Sequence, residues 1–196
     1  FYDEEDFGKY LGLLKRYKEK FLFHLYAYCL MSNHVHLLIQ PTQPNTLSKF
    51  MQSLTTAHTK LYHYKYKTSG HLWQGRFKNP IVQEDNYLLE CIKYIELNPV
   101  RAHIVKKPFD YKWSSIHFHT GIDRNNRLLD LDPVFMSLGN TMQDRYNSYT
   151  RFIQQEAPEE ITSQIKDSIT KGLFLSDRIF EGKVRDRLKF AKPRRR

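Results

Sequence analysis

Apolar residues recur at intervals of three and four over the first twenty positions of the chain. Phe7, Leu11 and Leu14 share one side of such a helix. The acidic residues between Asp3 and Asp6 come just before them, where partial positive charge gathers at a helix N-terminus. The spacing therefore predicts an amphipathic helix over these twenty residues.

The pattern then changes into two aromatic and aliphatic runs, over residues 21–31 and 35–39. Ser32 and Asn33 separate the runs, and both residue types favour turns because their side chains bond to nearby backbone. We predict two antiparallel strands joined at this point, within residues 21–40.

Helical spacing returns at Thr46, which can cap a second helix that runs to about Tyr66. A short run near residues 77–82 predicts a third strand. A further helix begins at about Asp85 and must finish around Pro99, because proline lacks the N–H that a continuing helix needs.

This order of elements predicts an α+β fold with a ferredoxin-like antiparallel sheet and helices. Such a sheet normally has a strand before its first helix, and the sequence shows none. The chain also opens at Phe1 without a methionine, which is typical of a fragment that lacks upstream residues. Later helical patterns span residues 142–155 and 158–169, with a weaker one at 174–188. We therefore divide the chain into an α+β domain, residues 1–130, and a helical extension, residues 131–196.

Basic residues outnumber acidic ones, 31 to 21, which gives a net charge of +10. No Asp or Glu occurs between Phe21 and Gln83, and the tail from 183 to 196 is strongly basic with one acid, Asp186. A cationic track mixed with aromatic rings is typical of surfaces that bind nucleic acid. The alternative for the tail is that it only aids solubility.

The composition also excludes several classes of protein. A hydrophobic fraction of 40% with 14% aromatic residues excludes extensive disorder. No apolar run approaches the ~18 residues of a membrane span, and no targeting segment is visible. Two cysteines, Cys29 and Cys91, exclude a disulfide framework and an all-cysteine zinc site. We expect a soluble, cytoplasmic protein with reduced thiols.

Two histidines stand two residues apart in the second predicted strand. Alternate residues of a strand share a face, so His34 and His36 present their imidazoles side by side while Val35 points to the opposite layer. Two neutral imidazoles form half of a metal site. The alternative is a pair of histidines hydrogen-bonded at a sheet end. For a second pair, His117 and His119, we expect packed or solvent-facing side chains.

Tyr94 and Asn98 lie four residues apart in the helix that ends near Pro99, so a phenol and an amide share one helix face. The alternative is an ordinary half-buried tyrosine followed by a C-terminal asparagine. Because Asn98 precedes a proline, we expect its side chain to be displaced from the ideal position.

The chain carries three notable runs, namely YCLMSNHVHLLI at residues 28–39, GHLWQGRF at 70–77 and KYIELNPVRA at 93–102. In this order they closely resemble the REP-associated tyrosine transposases, relatives of the single-tyrosine HUH transposases of small insertion sequences. The resemblance covers about residues 1–120 and implies an HUH transposase-like fold. It also implies that His34, His36 and Asn98 are metal ligands and that Tyr94 is the nucleophile.

The implied substrate is single-stranded DNA folded into an imperfect hairpin, cut and rejoined through a 5′-phosphotyrosine. The ligands suit Mg²⁺ or Mn²⁺, and the imidazoles would also admit Zn²⁺. We predict that basic residues around the centre contact phosphates, namely Lys49, Lys60, Arg76, Lys78 and Arg101. Trp73 or Phe77 is a candidate for base stacking, although for Phe77 a place in the core is favoured. Each of these side chains could instead be a solvated charge or a core ring.

Two other functions fit the same residues. One is a domesticated protein that binds hairpin or single-stranded DNA without cutting it. The other is a simple metallonuclease with water as its nucleophile, whose cleavage would not need Tyr94. The sequence is compatible with a monomer or a homodimer.

Overall fold

The computed structural model describes residues 1–171, 175–176, 181–182 and 184. It contains both helices and an antiparallel sheet, which confirms the α+β class. The weak helical pattern at 174–188 and the basic tail at 183–196 fall largely outside the described residues. Over the described part of the chain, no helix has the length and apolar character needed to cross a bilayer.

Helix α1 spans Glu4–Phe21, as its apolar spacing predicts. Asp3 caps it, since its carboxylate accepts a hydrogen bond of 3.0 Å from the Asp6 N–H. Leu22 follows in the left-handed conformation, with φ 51°, and turns the chain into the sheet. Capping and turn chemistry therefore define both ends of the first helix.

Strands β1 (Phe23–Leu30) and β2 (Val35–Pro41) form the predicted antiparallel hairpin. The pairing register places Cys29 opposite His36 and shifts once between Leu25 and Ala27. The hairpin is closed beside the Ser32–Asn33 turn by the Met31 N–H, which donates to the His34 carbonyl at 2.9 Å.

Helix α2 spans Thr46–Tyr66, which matches the predicted bounds. The predicted Thr46 cap is wrong, because the cap position is Asn45, in a left-handed conformation and without a side-chain capping bond. Thr46 is instead the first helical residue, and its side chain is buried.

The strand predicted near residues 77–82 is wrong for the described chain. Residues 77–81 have no regular structure, and Val82 makes a single parallel bridge with Leu175. Pro80 interrupts this run, and a proline cannot donate a ladder hydrogen bond. Phe77 is 38% exposed, so its expected place in the core is also wrong.

Helices cover both faces of the hairpin. Helices α1 and α2 bury one face through a cluster that includes Leu14, Leu25 and Phe50. The other face receives helix α3 (Glu84–Glu96), whose Ile92 packs with Cys29. A short helix α4 (Asn98–Arg101) continues directly from α3.

The C-terminal part adds helices α5 (Ile116–His119), α6 (Pro133–Met136), α7 (Met142–Gln154) and α8 (Glu159–Lys171). Helices α7 and α8 confirm the patterns predicted at 142–155 and 158–169. Tyr149 and Ile153 of α7 belong to the same buried cluster as Ile92 of α3. The division of the chain at residue 130 stays a prediction.

Candidate active site

The hairpin brings the two predicted imidazoles together. The Nε2 atoms of His34 and His36 lie 3.1 Å apart, and the two rings are nearly perpendicular. Val35 packs into the α1–α2 cluster on the opposite face of the sheet, while Leu38 packs on the α3 face. The two-residue period of the strand is therefore what places both imidazoles on one side.

Asn33 orients the first imidazole. Its Oδ1 lies 2.7 Å from Nδ1 of His34. An amide oxygen only accepts, so Nδ1 of His34 donates and its Nε2 carries the lone pair, which faces Nε2 of His36 at hydrogen-bond distance. The sequence indicates only a turn at Asn33, and its position next to a candidate ligand is the one signal for this second role.

Desolvation favours the neutral form of both imidazoles. It lowers the pKa of the exposed His34 and, together with the positive charge of Arg101, lowers the pKa of His36 to about 4. A neutral imidazole offers a lone pair to a cation, whereas a protonated one repels it. The histidine pair is therefore in the protonation state that metal binding requires.

Tyr94 on α3 lies against the same pair. Its half-buried ring is perpendicular to the His36 ring, with 6.2 Å between the ring centroids. Burial raises the pKa of the Tyr94 hydroxyl, and the positive charge of Arg101 opposes that rise. The packing of α3 on the sheet thus joins the predicted nucleophile to the predicted ligands.

The Asn98 side chain donates hydrogen bonds to the backbone of its own helix. Its amide nitrogen donates to the Tyr94 carbonyl at 3.0 Å and to the Ile95 carbonyl at 3.3 Å. Pro99 has no N–H for the Ile95 carbonyl, so the Asn98 side chain supplies the missing donor. Leu97 and α4 continue the helical path. The expected displacement of the Asn98 side chain stays a prediction. Both bonds use the amide nitrogen, so the Oδ1 atom stays a candidate ligand.

Arg101 contacts Tyr94. Its guanidinium carbon lies 4.1 Å from the centroid of the Tyr94 ring. Its Nη2 also donates to the Tyr94 backbone carbonyl. Residues seven apart in a continuous helical path share a face, which was the sequence signal for this contact. The predicted phosphate contact of Arg101 stays a prediction.

The remaining predicted DNA contacts lie in α2 and in the segment before α3. Lys49, Lys60, Arg76 and Lys78 are exposed. Trp73 is partly buried, with its ring centroid 5.3 Å from that of His58 and 6.2 Å from that of Tyr10. The described ring and hydrogen-bond contacts of these five residues do not reach His34, His36 or Tyr94, so their role in DNA binding stays a prediction.

The donor set fits a divalent cation. Neighbouring ligands of an octahedral ion with bond lengths of about 2.1 Å lie about 3 Å apart. The two Nε2 atoms have this separation, 3.1 Å. Among the described residues, no three His, Cys, Asp or Glu side chains cluster as a metal site. A further protein ligand at this pair would therefore be of another type, such as the amide oxygen of Asn98.

The second histidine pair is packed, as we expected. His117 Nε2 lies 2.8 Å from the Phe109 carbonyl, and His119 is buried with its Nδ1 2.6 Å from Glu96 Oε1. Both imidazoles are held by protein groups.

Comparison with known proteins identifies the class. Residues 2–98 match the family described as "Transposase IS200 like". This range holds the histidine hairpin, α2 and α3, and it ends at Asn98. The match to this family supports a transposase-type function with DNA as the partner.

A curated relative narrows the assignment. The Haemophilus influenzae protein named "Putative REP-associated tyrosine transposase" is 28% identical over 121 residues, which cover 56% of this chain and 68% of that protein. The resemblance to REP-associated tyrosine transposases is thereby confirmed. No solved structure matches the chain significantly.

Proposed function

We propose that the protein is a metal-dependent strand transferase that cuts single-stranded hairpin DNA and rejoins it through Tyr94. The observation that carries this proposal is the contact between the Tyr94 and His36 rings, with 6.2 Å between their centroids, beside the paired Nε2 atoms. A nucleophile and two neutral nitrogen ligands then face one place, where a backbone phosphate can be attacked.

A divalent cation, Mg²⁺ or Mn²⁺, would be held by His34, His36 and the amide oxygen of Asn98. When bound, such an ion polarises a phosphate and neutralises the charge that develops on it. Asn33 holds the His34 ring in the tautomer that leaves Nε2 unprotonated.

Tyr94 performs the covalent step. Its hydroxyl oxygen forms a bond to phosphorus and loses its proton, while the bond from phosphorus to the 3′ oxygen breaks and that oxygen takes up a proton. The products are a 5′-phosphotyrosine and a free 3′-hydroxyl. Because the phosphodiester is exchanged rather than hydrolysed, the strand can be rejoined without ATP.

Arg101 holds the nucleophile for this step. Its guanidinium covers one face of the Tyr94 ring and bonds to the backbone of the same residue. This holds the ring in place. The positive charge of Arg101 favours the phenolate, although burial outweighs it and raises the Tyr94 pKa overall.

The charge distribution supports a DNA hairpin as the substrate. Exposed basic residues on α2 and in the segment before α3 lie in the stretch without acids, namely Lys49, Lys60, Arg76 and Lys78. Phosphate contacts of this kind make binding weaken steeply with salt. Trp73 is the proposed stacking ring. The contact between His36 and Tyr94 lies within one chain, so a monomer can hold a complete site, and we place its action on chromosomal DNA in the cytoplasm.

A covalent-adduct assay tests the proposal. The protein is incubated with Mn²⁺ and a panel of hairpin single strands from its own genome, then separated under denaturing conditions. We expect a DNA–protein adduct with the wild type and none with Tyr94→Phe, while both bind the hairpin equally.

Each competing function gives a different result in this assay. A domesticated DNA-binding protein would bind hairpins but give no adduct in the wild type. A water-dependent nuclease would still cut the strand after Tyr94→Phe. Either result would end the strand-transferase proposal.

A further inference from the structure

A buried carboxylate lies between the two candidate site residues of the nucleophile helix. Glu96 follows Tyr94 by two residues and precedes Asn98 by two, and its side chain is 0% exposed. Residues two apart lie on nearly opposite sides of a helix, so Glu96 faces away from the histidine pair. A buried acid is costly unless hydrogen bonds compensate its lost hydration.

Three side chains compensate Glu96, two from the α5 segment and one from α7. Its Oε1 accepts from the Ser115 hydroxyl at 2.6 Å and lies 2.6 Å from Nδ1 of His119. Its Oε2 accepts from the Tyr149 hydroxyl at 2.6 Å. All three partners are buried.

The network fixes α3 against the sheet and against α7 at once. The Ser115 hydroxyl also contacts the Tyr28 backbone N–H of β1 at 3.1 Å, and Tyr149 belongs to α7. A helix tied on one side cannot rotate about its axis without breaking these bonds. Tyr94 and Asn98 on the other side are thereby held in register with His34 and His36.

We infer that Glu96 is a positioning residue for strand transfer and that α7, through Tyr149, is part of the catalytic unit. The inference rests on the proposed function. It also revises the division at residue 130, because the predicted helical extension would then support the nucleophile directly.

Tyr149→Phe is the sharpest test, because it removes one hydroxyl and keeps the ring in the core. Tyr146→Phe is the matched control. Tyr146 is also a buried residue of α7, and its hydroxyl makes no hydrogen bond within the described chain. Glu96→Ala is unsuitable as the main test, since it leaves a cavity and unpaired polar partners in the core.

We expect Tyr149→Phe to form the Mn²⁺-dependent adduct at least about tenfold more slowly in single turnover, since small misplacements of reacting groups cost up to about 100-fold in rate. Its affinity for the hairpin and its folded far-UV spectrum should match those of Tyr146→Phe, which should react like the wild type. A rate equal to that of Tyr146→Phe would overturn the inference. A parallel loss of rate and hairpin affinity would also overturn it.

Hydrogen exchange of the α3 amides separates this inference from the proposed function. Exchange in residues 87–96 should be faster in Tyr149→Phe than in Tyr146→Phe if the bond to Glu96 restrains the helix. If the wild type gives no adduct, the proposed function fails, and the exchange data alone decide the restraint. Equal exchange in the two variants would show that Tyr149 does not hold α3.

Discussion

At the scale of single residues, the choice of a histidine tautomer decides whether the hairpin can bind a cation. Asn33 Oδ1 accepts from Nδ1 of His34, so the nitrogen that faces His36 carries a lone pair. Groups that orient a ligand in this way typically change metal affinity by about 10- to 100-fold when they are lost.

Asn33→Ala should therefore weaken Mn²⁺ binding by about 10- to 100-fold, because the His34 ring loses its orienting acceptor. Titration calorimetry with Mn²⁺ measures this directly. The control is Ser32→Ala, which changes the neighbouring exposed side chain of the same turn. Equal Mn²⁺ affinity in both variants would contradict the role given to Asn33.

The sequence predicted the site residues whose position depends on local periodicity. The shared face of His34 and His36 follows from the strand, and that of Tyr94 and Asn98 follows from the helix. The Asn98 amide that replaces the missing Pro99 donor could not be predicted, because it depends on side-chain conformation rather than on spacing. The contact of Tyr94 with His36 depends on tertiary packing and was reached only through the family resemblance.

At the scale of elements, α1 and α2 are joined by an ion cluster at the start of the chain. Lys65 of α2 lies 2.7 Å from Asp3, 2.9 Å from Glu5 and 2.8 Å from Asp6. Burial raises the pKa of Asp6, but hydrogen bonds from Lys65, the Tyr2 N–H and Tyr66 outweigh it and lower that pKa to about 2. The acidic first turn thus serves a tertiary contact as well as the helix dipole.

Asp6→Asn should lower the free energy of unfolding at pH 7 by about 1–2 kcal/mol, because the ionised acid is stabilised only in the folded state. A depressed pKa gives stability above the unfolded pKa, and this stability is lost as pH falls from about 4 to about 2. The deficit of the variant in urea unfolding should shrink over that range. Glu19→Gln, an exposed change on the same helix, is the control. A deficit independent of pH would contradict the explanation.

Element bounds were predictable where apolar spacing was long and regular. Helices α1, α2 and α7 begin and end close to the predicted residues for this reason. The run at 77–82 failed because a strand needs a partner as well as suitable residues, and Pro80 removes a donor. A short apolar run by itself does not indicate whether a partner strand is present.

At the scale of the whole molecule, the buried core crosses the predicted domain boundary. Phe135, Tyr149 and Ile153 pack with Ala27 of β1 and Ile92 of α3 in one cluster. Apolar spacing predicted the C-terminal helices but could not show which surface they cover. Residues on both sides of position 130 therefore share one buried cluster, and the division at that position stays a prediction.

A fragment of residues 1–130 should consequently fail to unfold cooperatively, since it exposes the α3 side of that core to water. Thermal unfolding followed by circular dichroism measures this. The matched control is a chain that ends at Ser176, which keeps α5 to α8 and the bridge between Val82 and Leu175 and should unfold cooperatively. A cooperative transition of the 1–130 fragment at the temperature of the control would contradict a shared core.

The hydrogen bonds that the Asn98 side chain donates to its own helix have a consequence for its proposed role as a metal ligand. An aspartate would offer a cation more negative charge, yet a carboxylate has no hydrogen to give to the carbonyls of Tyr94 and Ile95. The carboxylate would instead lie close to these two carbonyl oxygens at the end of the helix that carries Tyr94, and the oxygens would repel one another. Proline at the next position thus favours a neutral amide over an acid at residue 98, so the proposed metal site would carry less negative charge than a site with a carboxylate there.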